Sequence, residues 1–415
     1  MKFKFLGACE EVGRSGALIE TDKKIITDYG IKIRNENNKE EYLPVDPPED
    51  TDMLVVTHAH LDHSGAAPYV KEKSNATVMG TSPTNEYMKL LYKDNVKIVG
   101  KQNLPYAYNA IKQTTSKYYA VPYQKRINIG KTDITLVDAG HITGSAMVKI
   151  DYQNKTTLYT GDYNTIDSGL HKGTTFKEKI DYLITESTYS DRNHPDRVKE
   201  EKRFIELIKK TLDNGGNALV PAFAVDRSQE MITIIRKYLK DVDIYLDGMS
   251  IDATEIMLKF PNYISNYNAL TKALKNVNLV TSYRQRKNAI AKPSVIVTTS
   301  GMMSGGPVLG YLHSLNTKSQ ILLTGYCVEE TNGWYLMNKG YIMHDKAPLK
   351  IDIAWEKFDF SGHIDQREMD KFFKNTSPEK IFCVHGDDTA GFAKHLEGMG
   401  FDAYAPKRGQ EYTIN

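Results

Sequence analysis

The sequence predicts an α/β fold in which a first domain is interrupted by a second, doubly wound α/β domain. Three observations carry this. The chain has 415 residues, more than one hydrophobic core usually supports, so two domains or one domain with a large insert are expected. Short apolar, β-branched runs stop abruptly at a titratable residue, as in KIITD at Asp28, MLVVTH at His58, TLYTGD at Asp162, YLITE at Glu186 and IFCVH at His385. From residue 196 onward the texture changes to strand alternating with helix.

The terminated runs read as strands of four to six residues, because they are bounded by glycine or turn residues and lack helical periodicity. Side chains at the ends of neighbouring strands converge on one rim of a sheet. Further along, NALVPAF reads as a buried strand, and Asp226 with Gln229 reads as a helix N-cap and its reciprocal partner before EMITIIRKYL. DIYLDG, SVIVTTSG and QILLTGY repeat the pattern of a strand followed by glycine, which predicts a parallel sheet of its own. The expected divisions are 1–195 for the first part of the outer domain, 196–346 for the insert, and 347–415 for the return.

Composition sets limits on function. Hydrophobic residues make up 40% and charged residues 26%, a globular balance that argues against disorder. Lys and Arg number 54 against 52 Asp and Glu, so a basic surface gripping a polyanion must be local. The three cysteines, Cys9, Cys327 and Cys383, lack metal or disulfide spacing, which predicts a reducing, cytoplasmic setting. No apolar run reaches the roughly 18 residues that span a bilayer, and the N-terminus does not read as a secretion signal.

VVTHAHLDHSG places His58, His60, Asp62 and His63 within six positions. In extended chain, residues two apart face the same way, so His58 and His60 suit one ion. Asp62 and His63 fall at the turn into the following helix and suit a second. His141 in AGHITGS, Asp162 in YTGDYN and His385 in CVHGD bring the candidates to seven. That is too many for one tetrahedral zinc site and about right for two ions, with the Asp162 carboxylate able to bridge. His171, His194, His313, His344 and His395 read as ordinary surface or core histidines, and Cys383 as a small buried hydrophobe.

THAHLDHSG resembles the signature of the metallo-β-lactamase superfamily, and Asp28, His141 and Asp162 follow in the order of its other motifs. Glu186 in TESTYSDRNH, His363 in FSGHID and His385 in VHGD resemble three further motifs of the β-CASP nucleases, in which a second domain is inserted into the lactamase αββα sandwich. PAFAVDRSQE and SGMMSGGP are similar to the same family, especially to compact archaeal and bacterial relatives of the nuclease subunit of the cleavage and polyadenylation specificity factor. The resemblance covers nearly the whole chain. It implies a zinc-dependent ribonuclease of RNA processing or decay, endonucleolytic and with room for 5′→3′ exonuclease action. Relatives acting on DNA usually lack a histidine at the position of His385, so its presence implies RNA.

An RNase J-like exoribonuclease is the nearest alternative, but its bacterial forms carry a further C-terminal domain, whereas here about thirty residues follow His385. No N-terminal RNA-binding extension is expected, since strand-like residues begin at once. A thioesterase- or lactonase-like metallo-hydrolase would not need the large insert, a diiron flavoprotein would place a glutamate at His60, and a noncatalytic paralogue would have lost ligands. Whether a homodimer or an RNA-processing partner protein is involved stays open.

Two zinc ions would activate a shared water and neutralise phosphate charge. His58, His60 and His141 would hold one ion and Asp62, His63 and His385 the other, with Asp162 between them. Asp28 suits an acceptor that orients a ligand imidazole. His363 is left over from the ligand set and suits a general acid, with Glu186 orienting it. For RNA, the glycine-rich loop before Pro307 offers Ser300, Ser304, Gly305 and Gly306 as phosphate contacts, against the plain reading of a β–α turn. The basic stretch SYRQRKNAIAK offers Arg284 and Arg286, against the plain reading of a solvated face.

Overall fold

The computed structural model describes residues 1–32 and 42–414, and the chain divides into two compact units. The first comprises Met1–Asp167, Lys172–Asn193 and Gly362–Asn415. Among its described residues, one seven-stranded sheet has the order Glu411–Thr413, Lys2–Gly7, Gly16–Glu20, Lys24–Thr27, Met53–Val55, Thr77–Gly80, Tyr119–Ala120. A second has the order Ala403–Tyr404, Lys380–Val384, Tyr182–Glu186, Lys155–Tyr159, Ala146–Tyr152, Thr132–Asp138, Arg126–Ile129.

Period-two alternation explains the layers. Phe382 and Val384 join Phe3, Phe5, Ile19, Ile25, Tyr182 and Ile184 in the core between the two sheets. Ile381 and Cys383, on the opposite face, join Leu183, Leu158 and the helix residues Met369, Phe372, Phe373, Phe392 and Leu396. The helix Gln366–Thr376 begins where the Asp365 side chain accepts the Glu368 N–H, and it buries Met369, Phe372, Phe373 and Thr376 at helical spacing. Phe373→Ala should cost about 3–5 kcal/mol, read as a lower urea midpoint for the unfolding of this unit. An unchanged midpoint would mean that the helix contributes little to the sandwich.

Strand direction places the chemistry. Lys155–Tyr159, Tyr182–Glu186 and Lys380–Val384 run parallel as neighbours: Leu158 lies opposite Leu183, and Leu183 opposite Ile381. Thr157 stands opposite Tyr182, and Glu186 opposite Val384. The C-terminal ends of these strands therefore share one rim, and they deliver Asp162, Glu186 and His385 to it. In the other sheet, Lys24–Thr27 and Met53–Val55 are also parallel, with Thr27 opposite Val55, so Asp28 and the histidine-rich turn leave together.

The second unit comprises Ser168–His171 and His194–Ser361. Its parallel sheet has the order Val277–Val280, Ile244–Asp247, Val295–Thr298, Ala218–Pro221, Gln320–Leu323, Ala354–Lys357. Ala218 and Val220 enter one apolar cluster and Leu219 the other, as expected for a sheet covered on both faces.

Two expectations from the sequence differ from the structure. The sequence places the return at 347, but Ala347–Lys350 forms a hairpin with Tyr341–His344, and Ala354–Lys357 extends the parallel sheet. Phe358 and Phe360 then pack into that unit's core, so its contacts end at Ser361. Asp226 does precede the helix Arg227–Tyr238, but its side chain makes no capping hydrogen bond and lies 3.3 Å from His171. Gln229 instead donates to the Ala224 and Ser250 carbonyls and to Thr254 Oγ1. Buried tertiary acceptors win over the local box.

Candidate metal centre

All residues of this centre belong to the first unit. His60 precedes the short helix Leu61–Ser64, and its carbonyl accepts from His63 N and Ser64 N at 2.9 Å. That turn is clamped by the segment after Asp28: Tyr29 N donates to His63 O, and Ile31 N to Leu61 O, both at 2.8 Å. Gly30 is required for this approach, because a Cβ there would sit 1.7 Å from the Asp62 carbonyl oxygen. At the opposite side, His385 follows its strand with a φ of +52°, held by its N–H on the Ala8 carbonyl at 2.7 Å. A left-handed histidine is a local cost retained where the side chain must be aimed.

The structure brings the seven candidate ligands together. Donor atoms of His58, His60, His141 and Asp162 lie within 4.8 Å of one another, as do those of Asp62, His63 and His385. Asp162 faces both groups. Its Oδ2 is 3.5 Å from His58 Nε2 and 3.7 Å from His141 Nε2, while Oδ1 is 3.1 Å from His63 Nε2. His385 Nε2 lies 3.3 Å from Asp62 Oδ2 and 3.3 Å from His63 Nε2.

The outward nitrogens explain why the rings face this way. His63 Nδ1 is 2.8 Å from Asp28 Oδ2, and His141 Nδ1 is 2.9 Å from the Gly362 carbonyl. Thr57 Oγ1 donates to Asp28 Oδ2 at 2.8 Å and is therefore free to accept from His58 Nδ1 at 3.1 Å. His385 Nδ1 is 3.1 Å from Thr188 Oγ1. Each partner can accept, so the network assigns a proton to Nδ1 and turns Nε2 inward, where it can hold a metal or a second proton. This is the orientation a metal-ligating imidazole needs.

The donor set also fits a cation chemically. Asp162 is a buried carboxylate facing the ring nitrogens of His58, His63 and His141, a donor set that a cation would satisfy at little cost. Burial holds the imidazoles of His58, His60 and His141 below their usual pKa, so they stay neutral donors. Burial opposes charge on His63 and His385 too, but Asp162 and the neighbouring carboxylates outweigh it and raise both. Burial would raise Asp162, yet the surrounding imidazoles hold its carboxyl well below the usual range.

His363 and Glu186 form a third group with Asp162. His363 Nδ1 lies 2.8 Å from Glu186 Oε2. Burial lowers its pKa, but Glu186 and Asp162 prevail and push it up to about 9. Glu186 is fixed in turn by the Tyr163 N–H on Oε1 at 2.8 Å and by the Thr188 hydroxyl on Oε2 at 2.6 Å. Asp28 stands behind the ligands, accepting from Thr57 N, Thr57 Oγ1 and His63 Nδ1.

Thr57, Thr188 and the Gly362 carbonyl were not identified from sequence. The available signal was a hydroxyl residue beside a ligand or a strand-end acid, which is too common to single out. His171, His194 and His395 pair with Asp226, Asp359 and Asp370. In the second unit, Arg286 is held by Asp247 at 2.7 and 3.1 Å, and Arg284 is exposed. Ser300 Oγ donates to the Gly305 carbonyl, Ser304 Oγ accepts from Asn332 N, and Gly306 takes a φ of +72°. The loop is closed largely on itself, and the helix after it spans only Pro307–Leu312.

Three family descriptions match the chain: the metallo-beta-lactamase superfamily over residues 13–184, the Beta-Casp domain over 228–336, and the Zn-dependent metallo-hydrolase RNA specificity domain over 348–406. Among relatives, a probable RNase MJ4 of Methanocaldococcus jannaschii is 39% identical, with 100% of each chain covered. RNase aCSPSF2 of Saccharolobus solfataricus is 33% identical over 99% of this chain and 85% of its own. An RNase J-like protein of M. jannaschii is 32% identical, covering 98% of both. A crystal structure of a protein of unknown function from Enterococcus faecalis superposes with a TM-score of 0.68 at 13% identity, covering 100% of this chain and 99% of that one; this likeness is one of fold.

Proposed function

Since the chain belongs to the β-CASP family of metallo-β-lactamase-fold hydrolases, we propose that it cuts RNA internally, using two zinc ions held by the seven grouped ligands. It is a metal-dependent ribonuclease. The observation that carries the two-ion reading is Asp162 itself, toward which His58, His63 and His141 turn Nε2 and whose two oxygens face different ligand groups.

In this reading His58, His60 and His141 would hold one ion and Asp62, His63 and His385 the other, with Asp162 facing both groups. Bound there, zinc would supply Lewis acidity toward phosphate oxygens and toward a water. The protein's own part is orientation and proton transfer. Asp28 and Thr57 hold the His63 and His58 rings against rotation, so the ligand lone pairs are aimed before substrate arrives. His363, anchored through Nδ1 by Glu186, presents Nε2 as the proton donor to the departing RNA oxygen. For RNA contact we retain Arg284 and the loop bearing Ser300, Ser304, Gly305 and Gly306, and take Arg286 as the support that holds the Arg284 helix to Asp247.

Among the described residues no helix is long and apolar enough to cross a membrane. Three free cysteines support action in the reducing cytoplasm. Zinc-loaded protein should open a circular single-stranded RNA as well as degrade its linear form, read on a denaturing gel. A circle that survives while the linear RNA disappears would replace the endonuclease reading with an exonuclease.

A further inference from the structure

We propose that Thr188 is a positioning residue that ties the His363–Glu186 pair to the metal ligand His385 through a single hydroxyl. The inference rests on the two-metal reading above. Thr188 Oγ1 lies 2.6 Å from Glu186 Oε2, 3.1 Å from His385 Nδ1 and 3.2 Å from the His385 carbonyl. A hydroxyl has one proton to give. The shortest contact is to a carboxylate oxygen that already accepts from His363 Nδ1 at 2.8 Å, and a carboxylate can only accept, so the Thr188 proton goes to Glu186. The remaining lone pair of Oγ1 then faces His385 Nδ1, which must carry a hydrogen to avoid opposed lone pairs. The His385 tautomer is thereby set with Nε2 unprotonated, toward Asp62 and His63.

The same carboxylate oxygen therefore orients two imidazoles, one directly and one through the hydroxyl. His58 is arranged in parallel by Asp28 through Thr57. Each ligand group thus has one histidine directed by a carboxylate–threonine relay, but only the Thr188 relay shares its carboxylate with the proton donor. Thr188 is partly exposed, and its hydroxyl meets Glu186 and His385. Its effect is on aim, not on contact with RNA.

The test compares zinc-loaded wild type, Thr188→Val and Thr188→Ser in a graded zinc buffer, reading zinc per chain and the histidine ring nitrogens by long-range 1H–15N NMR. Val keeps the branched shape and removes the hydroxyl; Ser keeps the hydroxyl. Thr188→Val should bind the first zinc as wild type does and the second about 10–100-fold more weakly. Its RNA cleavage should shift to correspondingly higher zinc and recover there. Thr188→Ser should stay within about threefold of wild type, with His385 still protonated at Nδ1. Unchanged second-zinc affinity in Thr188→Val would overturn the relay, as would a Ser variant impaired like Val, since that would assign the effect to side-chain shape. Wild type that binds two zinc ions but spares RNA would sink the ribonuclease reading while leaving the relay standing. Wild type that never takes a second zinc would remove both the two-metal reading and the relay.

Discussion

Asp162→Ala is expected to abolish RNA cleavage, with a loss of roughly 10³-fold or more, and to lower zinc from about two ions per chain. The reason is position. Asp162 offers one oxygen to His58 and His141 and the other to His63, so its removal opens both ligand groups at once. It also leaves several buried imidazoles without the anion that balances them when charged. Elemental analysis and a cleavage assay on the same preparation make the check, with circular dichroism to show that the sandwich is retained. A folded variant holding two zinc ions and cutting RNA at the wild-type rate would exclude Asp162 as the bridge.

The second large effect is expected at His363, and its signature is selectivity. A proton donor matters most when the leaving oxygen is a poor leaving group, as in RNA, and little when it departs unaided. His363→Ala should keep two zinc ions and bind RNA, yet cleave RNA about 10²–10⁴-fold more slowly. Hydrolysis of bis(p-nitrophenyl) phosphate should be nearly spared. Glu186→Gln should show a weaker form of the same pattern, because the anchor on Nδ1 at 2.8 Å changes from a charged to a neutral acceptor. Loss of metal in His363→Ala, or equal losses on both substrates, would assign this residue to the metal shell or to structure.

Much of the centre was legible because strand ends are local signals. An apolar run that stops at Asp28, His58, Asp162, Glu186 or His385 marks both a strand and the rim where it ends, and parallel pairing makes the rims coincide. His-x-His-x-Asp-His is dense enough to exceed chance without any fold. The inserted unit was legible from its change in periodicity. Its end was not, because Ala354–Lys357 is a short, largely exposed strand that becomes visible only through its pairing with Gln320–Leu323.

The sequence by itself determined which titratable side chains stand at strand ends, roughly where along the chain each strand would deliver them, and that a second α/β unit interrupts the first. Tertiary structure alone decided how those side chains are aimed. Thr188 reaches His385 across 197 positions and Gly362 reaches His141 across 221, and no local pattern encodes such contacts. Likewise Arg286 was a candidate RNA contact by composition, but the fold places Asp247 beside it. The physical reason is that periodicity and propensity are fixed by neighbours in sequence, whereas a hydrogen-bond partner is fixed by which strand ends the sheet register brings within about 3 Å.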